Sequence, residues 1–133
     1  MDDISIIGII VATLAFFFLG AAWYTFLFGR PWRAELGISE EDAAGQKPMP
    51  ILFVNSLVMG AIMATTLAWL IGPSTVGCGF KIGLFTGAGI GAALMAQNYA
   101  YEQKSLKFWA INASYAIVGL AVMGTIIGAF QAV

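Results

Sequence analysis

Charged residues interrupt this chain in only a few places, and the stretches between them are long. Ile4 to Gly29, Pro50 to Phe80, Ile82 to Tyr101 and Phe108 to Val133 contain no Asp, Glu, Lys or Arg. The second stretch is broken near its end by "GPSTVGCG", whose Gly and Pro residues suit a turn. A helix needs about 20 residues to cross a hydrocarbon core of about 30 Å, and each stretch meets that length. The pattern predicts four spanning helices, at about 4–28, 51–71, 82–101 and 108–131. Irregular backbone is not tolerated against lipid, so the Gly and Pro clusters belong in the connections.

Composition identifies the solvent. Of 133 residues, 60% are hydrophobic and 10% are charged, whereas a soluble domain carries roughly 25% charged residues. A folded soluble protein must still solvate its surface, so the missing solvent is lipid. The first stretch is not read as a secretory signal: "MDDIS" is acidic and the apolar run is too long. The expected fold is an all-α membrane protein, a single four-helix transmembrane domain over residues 1–133 with up-down-up-down topology.

Charge then orients the helices. Arg30, Arg33, Lys47, Lys104 and Lys107 fall in the first and third connections; the other side of the path holds only Lys81. Basic loops remain in the cytoplasm, which predicts cytoplasmic loops at 29–50 and 102–107 and both termini periplasmic or exterior. Within the first loop, Ser39 and Asp42 have capping-box spacing for a short helical turn. Gly45 would end that turn, and Pro48 and Pro50 in "KPMP" suit re-entry into a helix. The loop reads as an interfacial element.

"WYTFLFGRPW" crowds Trp23, Tyr24, Phe26, Phe28 and Trp32 at the exit of the first helix, where Gly29 and Pro31 are expected to stop it. Tyr99, Tyr101 and Trp109 similarly flank Lys104 and Lys107. Aromatic rings collect at membrane interfaces, and Arg30, Arg33, Lys104 and Lys107 would meet anionic headgroups. An aromatic belt accounts for this pattern. A second account rests on the polar residues inside the helices: Asn55, Ser56, Gln97, Asn98, Asn112, Ser114 and Tyr115 all lie toward the basic-loop side. An amide unpaired in lipid is costly, so Asn55, Gln97, Asn98 and Asn112 are expected to face inward. Asn55 and Asn112 should share one polar layer, either as a structural clasp or as a pocket open to the cytoplasm. Such a pocket would draw on Trp23, Tyr24, Asn55, Asn98, Asn112 and Tyr115.

Small residues recur at four-residue intervals. Gly83, Gly87 and Gly91 line the third helix, Ser56, Gly60, Ala64 and Ala68 the second, and Gly124 and Gly128 the fourth. These ridges allow close helix packing, within the chain or between copies. "ILFVNS" and "FWAINAS" open the second and fourth helices with Asn at the same place, a pattern that two tandem hairpins would give.

Reactive groups are scarce. The chain has no His, its one Cys is Cys78 in the expected outer connection, and no charged residue falls within an expected span. This predicts no metal site, no cofactor, no nucleic-acid partner and no enzymatic activity.

"GAAWYTFLFGRPW" and "KSLKFWAINASYAIVG" resemble the bacterial family called domain of unknown function 1761. The marks are Trp23, Tyr24, Phe28, Gly29 and Arg30, with Tyr115 matching an aromatic in the fourth helix. The resemblance implies four membrane helices in the bacterial inner membrane and brings no established activity. The leading expectation is a non-catalytic protein that contacts membrane lipids and acts as a homo-oligomer or as an accessory subunit of a larger membrane complex. The alternative is binding or transport of a small neutral or amphipathic molecule at the pocket named above.

Overall fold

The structure, a computed structural model, describes residues 4–39, 41–42 and 50–133. Four helices are long and apolar enough to cross a membrane: Ile6–Leu27, Pro50–Ile71, Val76–Tyr101 and Leu106–Phe130, the first to fourth spans below. At 1.5 Å per residue the shortest, 22 residues, covers about 33 Å. A short helix, Gly29–Glu35, follows the first span. The all-α, multi-pass reading of the hydrophobic pattern holds.

Three boundaries differ from expectation. The third span begins at Val76 rather than near Ile82, because the Thr75 side chain accepts a hydrogen bond from the backbone N–H of Cys78 and caps the helix. Cys78 therefore lies in the first helical turn, and Lys81 lies inside a span. Lys81 is exposed less than two turns from the helix start, where its stem can reach the headgroups. Gly29 and Pro31 do not stop the chain's helicity. The break is at Phe28, and Pro31 sits in the first turn of the next helix, where its missing N–H costs nothing. In the first loop, Ser39 does accept from the Asp42 N–H; Gly45, Lys47 and Pro48, expected to end that turn, add to the basic loop and lead into the second helix, lie outside the described residues.

The ends of the bundle are tied separately, and the ties alternate as an up-down-up-down path requires. At one end the Ser105 hydroxyl donates to Glu35 at 2.6 Å, joining the first and third connections. At the other end the buried Gln131 side chain accepts from the Ser5 N–H and donates to the carbonyls of Ala68 and Gly72. Ser74 pairs with Ala132 beside it. One amide thus holds the start of the first span, the end of the second and the end of the fourth. No pattern in the sequence marks Gln131 for this role.

The fourth span is the hub. In its most apolar window 44% of residues are buried inside the chain, against 22% in each other span. The third span packs on it through Gly79, Gly83 and Gly87, which meet Gly124, Gly128, Leu120 and Ile117 backbone to backbone. A Cβ at Gly79 would overlap the Gly124 carbonyl, and one at Gly87 would lie 2.8 Å from the Ile117 Cα. The ridge is therefore used within the chain. It is centred one turn earlier than expected: Gly79 belongs to it, whereas Gly91 makes only ordinary contact with Ala116. Gly60, Ala64 and Ala68 of the second span are buried, with Gly60 facing the Thr13 methyl of the first. Ser56 is not part of that face; it is exposed and bonds its own helix at Leu52. Ala12, Ala64, Leu67, Ala68, Ile71, Met123 and Ile127 form a dry core in the half nearer the termini.

Gly83→Ala should lower stability in detergent by about 1–3 kcal/mol, because the overlapped group is rigid backbone. Gly89→Ala, with nothing within 4 Å of the new Cβ, should leave it unchanged or slightly raised. Thermal or denaturant unfolding of the two variants checks the contrast; equal melts would mean the ridge does not carry the packing.

Candidate functional site

The half of the bundle nearer the basic loops is built from aromatic rings. The first span ends in a widened π-helical turn, Trp23–Leu27, closed by the Phe28 N–H on the Trp23 carbonyl at 2.8 Å. A π turn holds more residues per revolution, so neighbouring side chains diverge less around the axis. Consecutive residues Trp23 and Tyr24 accordingly reach consecutive positions on the fourth span. The Trp23 indole N–H donates to the Ile111 carbonyl at 3.0 Å, and the Tyr24 hydroxyl donates to Asn112 Oδ1 at 2.5 Å. Asn112 is buried, and its Nδ2 donates to the Tyr99 hydroxyl of the third span at 3.3 Å.

Two further aromatic donors address a neighbouring backbone. The Tyr115 hydroxyl donates to the Phe16 carbonyl at 2.9 Å, passing over Gly20, where a Cβ would lie 2.6 Å from that hydroxyl. Phe16 in turn lies across Gly119 and stacks on the Tyr115 ring with centroids 4.7 Å apart. Trp109 donates to the carbonyl of Ala92 at 2.9 Å, at the end of a second π segment, Gly87–Ala92.

Beside this cluster lies a cleft of about 460 Å³. Phe16, Tyr24, Trp32 and Tyr115 line one side, and Asn55, Ser56 and Met59 of the second span line the other. Tyr24 is packed edge-on to Tyr115 at 5.3 Å and tilted against Trp32 at 4.9 Å, so the wall is continuous ring surface. Among the described residues, no charged side chain lines the cleft. Its polar side chains are Tyr24, Asn55, Ser56 and Tyr115, beside the Trp32 indole. The Asn55 amide makes no side-chain hydrogen bond among the described residues. The Tyr24, Tyr115 and Ser56 hydroxyls each already donate a hydrogen bond but keep lone pairs for an incoming donor.

The expected pocket residues therefore divide. Tyr24, Asn55 and Tyr115 come together at the cleft. Trp23 and Asn112 lie behind it as bonded, buried supports. Asn98 is exposed on the third span and does not line the cleft. The inward placement expected for the amides holds for Asn112 and fails for Asn55, Gln97 and Asn98, all of them exposed. Gln97 and Asn98 lie within about 6 Å of the end of their helix, where headgroup water can solvate an amide. The single layer shared by Asn55 and Asn112 does not form, because the two face opposite sides of Tyr24: one is open, the other sealed. The matched asparagines of "ILFVNS" and "FWAINAS" thus occupy unlike surroundings.

The expected headgroup residues all lie at the basic-loop end. Arg30, Lys104 and Lys107 are exposed, and the Lys104 ammonium sits 5.6 Å from the Phe108 ring centre. Arg33 is half-buried, with its Nε buried and unpaired among the described residues. Trp32, Phe16, Gly20 and Gly119 are site residues that sequence reasoning missed. The adjacent Trp32 and Arg33 read as belt and headgroup contacts, and glycines outside a four-residue repeat gave no signal.

Asn112→Leu should lower stability by about 0.5–2 kcal/mol, the range of hydrogen bonds between membrane helices, since it removes a donor and an acceptor from a sealed site. Asn55→Leu should leave the melt unchanged, because Asn55 holds nothing in place. A melt of each variant in the same detergent decides; equal losses would mean that Asn55 too is a structural tie.

Comparison with known proteins adds a family. No curated protein and no solved structure matches the chain significantly. The family model described as "Protein of unknown function (DUF1761)" matches residues 7–128, from the first turn of the first span to the last turn of the fourth. The match covers the aromatic turn, the glycine ridge and both walls of the cleft, and the chain belongs to that family.

Proposed function

We propose that this is a non-catalytic protein of the bacterial plasma membrane that binds a small, uncharged amphiphile with a ring-bearing head in the cleft between its first and second spans. The observation that carries the reading is the exposed Asn55 amide, which has no hydrogen-bond partner among the described residues and faces a wall of aromatic rings in a cleft whose described lining is uncharged. Ligand sites are largely apolar, with a few converging polar groups that fix orientation. Here the rings supply stacking surface, Asn55 can donate to a ligand oxygen, and the tyrosine and serine oxygens can accept from a ligand hydroxyl. The sealed bonds behind the wall hold Tyr24 and Tyr115 in place before any ligand arrives, which lowers the ordering cost of binding. Membrane lipids would supply the surroundings and compete for the cleft. A role as homo-oligomer or accessory subunit was motivated by the small-residue ridges, which are largely occupied within the chain.

The ligand test uses methyl 4-hydroxybenzoate, a flat, uncharged ring with both hydrogen-bonding roles, and protein in lipid nanodiscs. Saturable binding is expected, weakened about three- to tenfold by Asn55→Leu, the loss of one hydrogen bond. Binding that fails to saturate, or that ignores Asn55, would rule the reading out.

We further propose the orientation that the basic loops favour, with residues 29–50 and 102–107 in the cytoplasm. Cys78, the one cysteine, lies at the opposite end. A membrane-impermeant maleimide should label it from outside intact cells; labelling only after permeabilisation would invert the topology.

A further inference from the structure

Resting on the cleft reading, we infer that the ligand carries a long apolar tail, and that a groove along the second span receives it. Beyond the cleft, toward the termini, a second hollow of about 240 Å³ opens between the second and third spans, with Leu120 of the fourth as its floor. Met63 lines both hollows, so they meet at one side chain. On the second span the lining residues run Asn55, Met59, Met63, Thr66 and Leu70, a single stripe at helical spacing. The stripe changes character along its length. Its first turn offers an unpaired amide, while in the second hollow the Thr66 hydroxyl is already bonded to its own helix at Ile62 and Thr86 to Ile82. The groove beyond Met63 is therefore almost wholly apolar and, unlike the cleft with its Asn55 amide, has no unbonded side-chain donor among its described lining residues.

Dimensions select the occupant. From Ile62 to Leu70 the hollow is about 12 Å long, giving it a mean cross-section of about 20 Å². That is on the order of the width of one hydrocarbon chain, so a single tail fills the hollow, whereas a partner helix could only lie across its open side. From Asn55 to Leu70 the path is about 22 Å, longer than the roughly 15 Å of one leaflet's hydrocarbon. A tail laid along it passes the bilayer midplane. This favours one long chain over the paired, leaflet-length chains of a bulk phospholipid, whose charged phosphate would find no charged partner among the described lining residues.

The experiment is a series of 4-hydroxybenzoate esters with methyl, butyl, octyl, dodecyl and hexadecyl tails, bound to the wild-type protein and to Gly91→Leu in nanodiscs of one lipid composition. Gly91 lines the groove, and an added Cβ would make only ordinary contacts, with Ala116 at 3.7 Å and Thr86 at 3.8 Å, so a side chain can be introduced there without displacing backbone, and the leucine is expected to occupy the groove. In the wild type, affinity corrected for partitioning should rise at least tenfold from methyl to dodecyl and then level off. Gly91→Leu should abolish that rise and leave the methyl ester unaffected, with Gly91→Ala intermediate. A rise that persists in Gly91→Leu, or no rise in the wild type, overturns the tail groove while the cleft reading stands. Loss of saturable methyl-ester binding in the wild type overturns the cleft reading; a long-tailed ester that still binds and is displaced by Gly91→Leu would then keep the groove alone.

Discussion

Close approach of two backbones governs this molecule. Lipid tails are as apolar as Leu, so spans gain little by leaving lipid for one another, and van der Waals contact between closely apposed helices must supply the difference. The third and fourth spans achieve this where Gly79, Gly83 and Gly87 lie on Gly124 and Gly128 with no side chain between them. Because the fourth span also carries Ile111, Asn112 and Tyr115, the contact sets the position of every donor and acceptor on which the first span closes. The second span takes no part in the glycine contact. It is held by Gly60 against Thr13 and by Gln131 at its far end, and it is exposed along most of its length.

The aromatic half solves a different problem. Indole and phenol groups buried near a membrane need acceptors, and adjacent helices offer carbonyls. Trp23, Trp109 and Tyr115 each take one from a neighbouring span, and Tyr24 takes the Asn112 amide oxygen. These bonds fix the rings as a wall and leave the facing surface of the second span unsatisfied. The same chemistry thus produces a sealed support and an open cleft a few ångströms apart.

The fold was legible because its main signal is one-dimensional. A run without charge, long enough to span hydrocarbon, reports a membrane helix whatever packs against it. The signal failed where a charge could reach water: Lys81 hid the first turn of the third span. The candidate site was legible in part. Tyr24 and Tyr115 stood out by type and position, but which amide faces inward depends on helix rotation, and on the third span the π segment Gly87–Ala92 changes that rotation ahead of Gln97 and Asn98 with no residue pattern to mark it. Asn55 and Asn112 share depth and sequence context, yet only the packing of the fourth span at the centre and the second at the edge distinguishes them. Gly20 and Gly119 were illegible because each serves a ring contributed by another helix.

The hub position of the fourth span bears on how the chain enters the bilayer. The third span is the least hydropathic of the four and presents its glycine face to nothing but the fourth. A nascent chain that has released only three helices from the insertion machinery holds a first and second span already paired and a third with no mate. The third and fourth spans, joined by a connection of four residues, 102–105, are thus suited to leave the translocon together as a hairpin, the fourth helix serving as an internal chaperone for the one before it.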